Sequence, residues 1–127
     1  MKKFLASAIK CYEEDEVFTV ALGDDVEDPN RFLIITRLDD EDNASIDDGI
    51  GLLTDQAKYE KSGVITKVFL GLNKLEVVVK PEFAKFFGGS SIVAEFLSDD
   101  NELSINFLIL KKALQNIFSG SKVDFIV

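Results

Sequence analysis

The chain reads as an α+β protein built on a mainly antiparallel sheet, and three observations carry that expectation. Short runs rich in Val, Ile, Phe and Thr recur along most of its 127 residues, joined in sequence by turn residues. Helical periodicity shows in only two places, a short helix near residues 81–87 and a C-terminal helix within 99–119. No Gly/Ser/Pro linker, internal repeat or low-complexity tract divides the chain, so residues 1–127 are expected to form one domain.

Taken in order, Phe4–Cys11 alternates as a first strand, with Leu5, Ile9 and Cys11 on one face and Phe4, Ala6 and Ala8 on the other. Tyr12–Glu16 is an acidic turn, and Val17–Leu22 resumes the extended pattern until Gly23-Asp24-Asp25 stops it. Pro29 lacks an amide donor and suits a connection. Phe32–Leu38 follows, with Ile34, Ile35 and Thr36 β-branched in succession. Ile50–Thr54 is a short strand, and Asp55–Ser62 is a polar loop or a single helical turn. Val64–Leu70 and Leu75–Lys80, joined through Gly71-Leu72-Asn73, make a hairpin with Val64, Thr66, Val68 and Leu70 sharing one face.

Pro81–Phe87 opens on Pro and closes on Gly88-Gly89, the asymmetry of a short helix. Its Phe83, Phe86 and Phe87 fall at helical spacing, and burial preference makes them core rather than a cofactor box. Ile92–Leu97 is another strand. Between Ser98 and Ser119, Leu103, Phe107, Leu110, Leu114 and Ile117 recur at helical spacing. Asp99 and Glu102 form a capping-box start, and Gly120 sits where a helix stops. Ser104–Phe107 also alternates like a strand, so the helix is firmest from Lys111 to Phe118. Lys122–Val127 ends the chain as an edge strand.

The charge is unevenly placed. Of 23 acidic residues, 16 lie between Glu13 and Glu60, against only Arg31, Arg37 and Lys58 as bases there. The densest part is Leu38–Gly49, with Asp39, Asp40, Glu41, Asp42, Asp47 and Asp48 and no base. A net charge of −9 and an isoelectric point near 4.4 argue against nucleic acid, whose phosphates need Lys and Arg to displace counterions. Arg31 and Arg37 are expected to hold the acidic segment through local ion pairs.

Chemistry is limited by what is missing. There is no His, hence no imidazole base or metal ligand, and Cys11 is alone, so neither a disulfide nor a thiolate cluster is available within the chain. As a calcium hand the acidic loop falls short: Asp39, Glu41 and Asn43 take ligand positions, but Ala44 stands where Gly makes the turn and Ile50 where a bidentate Glu belongs. Neither Gly49-Ile50-Gly51 nor Gly88-Gly89 completes a phosphate-cradling motif. No catalytic residue, metal site or cofactor is therefore expected. The start, M-K-K-F-L-A-S-A, imitates a secretory leader, yet its apolar run is shorter than the ~7–15 residues required and Lys10 interrupts it. No run approaches a membrane span, so a cytoplasmic protein is expected. A loop of six acids stays solvated, either to dock a basic partner or only to confer solubility.

One set of segments carries a resemblance. F-L-I-I-T-R-L leads into the acidic loop, followed by G-I-G-L-L-T-D-Q, S-G-V-I-T-K-V, L-E-V-V-V, P-E-F-A-K-F-F-G and a terminal A-L-Q-N-I-F. In this order, from Phe4 to Phe118, they resemble immunity protein 10, a family of bacterial toxin-immunity proteins found beside polymorphic toxin genes. The chain departs from the pattern at Lys61-Ser62-Gly63, where an aromatic-glycine pair is expected. The resemblance implies a non-catalytic cytoplasmic protein that neutralises a cognate toxin, one with a basic surface. Charge density, rather than the resemblance, singles out the contact candidates: Asp39, Asp40, Glu41, Asp42, Asp47 and Asp48, with Asp24, Asp25 and Asp55 as secondary candidates. A general acidic interaction or structural protein remains an alternative, and a calcium-binding module a third.

Overall fold

The computed structural model describes residues 2–96 and 100–127 and is α+β, with two five-stranded sheets. Sheet B is an antiparallel meander of β2 (Ala8–Glu14), β3 (Val17–Gly23), β4 (Phe32–Leu38), β5 (Ile50–Thr54) and β6 (Lys61–Ser62), in that order. Sheet A has the order β1-β9-β8-β7-β10, where β1 is Lys2–Ala6, β7 Ile65–Leu70, β8 Lys74–Val79, β9 Ser91–Phe96 and β10 Asp124–Ile126. Its centre is antiparallel, while β1 lies parallel to β9 and β10 parallel to β7.

The expected first strand is in fact two. Ser7 separates β1 from β2 and sends them into different sheets. Its amide donates to the Gly23 carbonyl at 2.9 Å and its hydroxyl to that of Asp24 at 2.7 Å, so the break is hydrogen-bonded. The break also changes the burial pattern: Phe4 and Ala6 are buried in β1 with Leu5 exposed, whereas in β2 the half-buried Ile9 and Cys11 pack against the core. Periodicity alone cannot show this, because alternation runs through residue 7 without a gap.

β7 and β8 form the expected hairpin with one correction. A bulge falls between Ile65 and Lys67, which pair with Val79 and Val78. Thr66 is the extra residue, and its hydroxyl donates to the Val78 carbonyl at 3.1 Å. Residues 81–87 form a 3-10 turn, Pro81–Phe83, running into α1 (Ala84–Phe87), and Gly88 closes it at φ 76°. Phe87 is fully buried and Phe86 meets it edge-on, with ring centroids 5.0 Å apart. Lys61 of β6 lies 4.7 Å over the Phe86 ring. The polar stretch 55–62 thus ends in a two-residue strand rather than wholly as loop.

α2 (Asp100–Phe118) is helical throughout, including the stretch that alternates like a strand. Leu103, Leu110, Leu114, Ile117 and Phe118 are buried, and the helix packs on β3 and β2. Asp99, the expected cap, and Leu97 lie outside the described residues. Gly120 follows the helix at φ 77°, a conformation that disfavours any side chain. One continuous buried cluster draws on both sheets and on α2, from Phe4 through Val20, Ile35, Leu52, Val68 and Val77 to Leu114. Among the described residues no helix is long and apolar enough to cross a membrane.

Candidate functional site: an acidic end of sheet B

In an antiparallel meander alternate connections lie at the same end, and this rule builds the site. Glu14 pairs with Val17, and Val17 pairs with Leu38, so the β2–β3 turn and the β4–β5 loop emerge side by side. They gather Glu13, Glu14, Asp15 and Glu16 with Asp39, Asp40, Glu41, Asp42, Asp47 and Asp48. The connections carrying Asp24, Asp25 and Asp55 emerge at the opposite end, across the seven residues of β4, roughly 20 Å away. The nine acids singled out from sequence therefore divide between two ends, and the turn at Glu13–Glu16 belongs to the first group. The clue to its membership was available in the order of the strands, which places the first and third connections of a meander together.

The turn is unusual in its backbone. Asp15 and Glu16 take φ of 52° and 67°, the left-handed region that a tight hairpin turn needs but that Asn-Gly fills more comfortably. Each such residue costs on the order of 1 kcal/mol, held here by the β2–β3 ladder.

The 39–49 loop is ordered by its own polar groups. Asp40 Oδ1 accepts the Asp42 amide at 3.0 Å, and the Asp40 carbonyl accepts the Asn43 amide. Asn43 Nδ2 donates back to the Leu38 carbonyl at 3.2 Å. Asp47 opens a 3-10 turn, Asp47–Gly49, and its carboxylate accepts the Lys122 amide at 3.0 and 3.3 Å, tying the loop to the segment after α2. Gly49 is required because a Cβ there would overlap the Leu38 carbonyl oxygen.

Arg37 anchors the site. It is a buried charge, 9% exposed, at the end of β4. Its Nη1 donates to the carbonyls of Asn116, Ile117 and Ser119 at 3.0, 3.0 and 2.8 Å, satisfying the last turn of α2. Its Nε donates to Asp39 Oδ1 at 3.0 Å. The expected ion pair is present, but most of the guanidinium serves the helix. Arg31 departs from expectation: among the described residues its guanidinium forms no ion pair, and only its backbone amide meets an acid, Asp24.

The acids thus fall into different jobs. Asp39 and Asp47 are engaged by Arg37 and Lys122, and Asp40 organises the loop. At the far end Asp24 Oδ1 accepts the amides of Asn30 and Arg31, Asp25 Oδ1 that of Glu27, and Asp55 Oδ1 that of Phe32. Glu41, Asp42 and Asp48 are exposed and, among the described residues, their side chains have no hydrogen-bond or ion-pair partner, so they project unneutralised charge. A shallow depression of about 560 Å³, lined by Arg37, Asp39, Asp40, Glu41, Asn43, Ser45 and Ile46, sits at their base. Among the described residues no three acids or thiols converge as a metal cage.

No protein-family model matches the chain, and no curated protein sequence is similar to it.

Proposed function

We propose that this is a non-catalytic immunity protein whose acidic end docks on a basic surface of a cognate bacterial toxin in the cytoplasm of the producing cell. One observation supports the docking surface above the rest: two separate connections of sheet B bring ten acids to one end, where Arg37 is spent on helix carbonyls. Fixed like charge of this density raises the encounter rate with a basic partner and selects against acidic ones. The toxin as the partner rests on the order of segments resembling immunity protein 10.

The test is co-expression with the product of a polymorphic toxin gene lying beside this one. Wild type restores growth. Reversal of Glu41, Asp42 and Asp48 to Lys abolishes the rescue while leaving the melting temperature near that of wild type, because none of the three side chains has a partner among the described residues. Intact rescue by the triple variant refutes docking through this end. Absence of any adjacent toxin gene removes the toxin and leaves an acidic protein whose charge serves solubility.

A further inference from the structure

Sheet B has one long open margin. β2 is an outer strand of seven residues, whereas the opposite margin, β6, has two, and sheet A ends on the three-residue β10 and on β1, which carries Lys2 and Lys3. An unpaired strand edge is a template for another strand, and proteins normally blunt it by shortness or by charge. β2 is charged, but its charges are complementary to themselves. Lys10, Tyr12 and Glu14 project from one face and all three are exposed.

Beside this margin runs an uncovered apolar stripe. On α2, Ile105, Leu108 and Ile109 are 57%, 64% and 48% exposed, and they fall with Lys112 at helical spacing. Ile109 and Lys112 line a groove of about 260 Å³ together with Cys11, Tyr12 and Glu13, so the stripe adjoins the β2 edge. Through this groove Ile109 and Lys112 of the stripe lie beside Cys11, Tyr12 and Glu13 of the strand edge.

We infer that β2 pairs with β2 of a second copy of this chain, antiparallel about a two-fold axis at Tyr12, joining two B sheets into one. That register sets Lys10 of each copy opposite Glu14 of the other, giving two cross-strand ion pairs, and places Tyr12 against Tyr12. A shift of the axis to Cys11 places Lys10 opposite Tyr12 and loses both pairs. The same axis brings the two α2 stripes toward each other over the joined sheet and covers Leu108 and Ile109. Because the strands run oppositely, the two 39–49 loops lie at opposite tips, so their charges are kept apart and the surface proposed for a toxin stays open. The inference is independent of the toxin reading.

Light scattering on the eluting protein tests it. Wild type runs at twice the 14.1 kDa chain mass at millimolar concentration and dissociates on dilution. Lys10→Glu puts like charges opposite each other twice and weakens the dimer by about tenfold or more. The exchange Lys10→Glu with Glu14→Lys restores it, and Leu108→Asp also weakens it. All of these sites are exposed, and circular dichroism melts check that the variants remain folded. In a Cys11→Ser background, Tyr12→Cys gives a disulfide-linked dimer on oxidation, since directly opposed residues bring their Cα atoms within disulfide reach. A wild type that stays monomeric at millimolar concentration overturns the proposal. So does a dimer indifferent to Lys10→Glu, or one that the charge exchange fails to restore.

Discussion

Replacing Arg37 with Ala separates two roles that one guanidinium holds. Nη1 has two hydrogens for three carbonyls, so its bonds to Asn116, Ile117 and Ser119 are shared rather than three full ones. A hydrogen bond from a charged donor contributes about 1.5–3 kcal/mol, and sharing makes the sum smaller than three such terms. The carbonyls left behind belong partly to the exposed Asn116 and Ser119, which water can reach, so the expected loss is about 2–4 kcal/mol. For a domain of this size that lowers the melting temperature by about 10 °C. Asp39→Ala breaks only the ion pair, whose carboxylate side chain is 65% exposed, and the cost is expected to be below about 1 kcal/mol. Urea titrations of both variants measure the difference, and amide exchange locates it at residues 114–121. Equal losses in the two variants would refute the assignment of Arg37 to the helix end.

Three further outcomes are expected. Thr54 is 2% exposed and its hydroxyl has no hydrogen-bond partner among the described residues, so Thr54→Val removes a desolvated polar atom and raises stability by about 1 kcal/mol in urea unfolding. Gly49→Ala drives a methyl into the Leu38 carbonyl and to 2.9 Å from Asn43 Nδ2, costing about 2–4 kcal/mol and disturbing amide shifts throughout 39–49 in NMR spectra. Burial raises the pKa of the Cys11 thiol above 9.0, its value when free. The folded protein therefore alkylates with iodoacetamide more slowly than the urea-unfolded chain at mildly alkaline pH. With the folded pKa the higher one, stability from this group is full below pH 9.0 and declines as pH rises through the folded pKa.

Much of the architecture was legible where alternation and turn residues agree: Val17–Gly23, Phe32–Leu38, Ile50–Thr54, the hairpin and the 81–87 turn of helix. Partnership between distant segments was not, because hydrophobic period reports burial and not neighbours. Nothing in Lys2–Ala6 says that it pairs with residues 92–96 instead of continuing beside Val17–Gly23. The start of α2 is ambiguous in sequence, since Ser104–Phe107 fits both periods, whereas the helix runs unbroken over Asp100–Phe118. At the acidic end, charge density identified the 39–48 loop but could not separate structural acids from free ones. Asp47 and Asp24 look like Asp48 and Asp42 in sequence, and only the backbone amides they receive distinguish them. Arg37 was placed correctly beside acids, but its main partners are carbonyls some 80 positions away.

The parallel outer strands of sheet A have a consequence for the order of folding. β7, β8 and β9 are successive neighbours and can zip locally, but β1 must wait for β9, and β10 can join β7 only after α2 has been laid down. Closing such long loops precedes any reward from the contacts they permit, which slows folding relative to a simple meander. Until then β7 and β9 present bare strand edges, so the interval before the first and last strands dock is when the chain is most open to association with its neighbours.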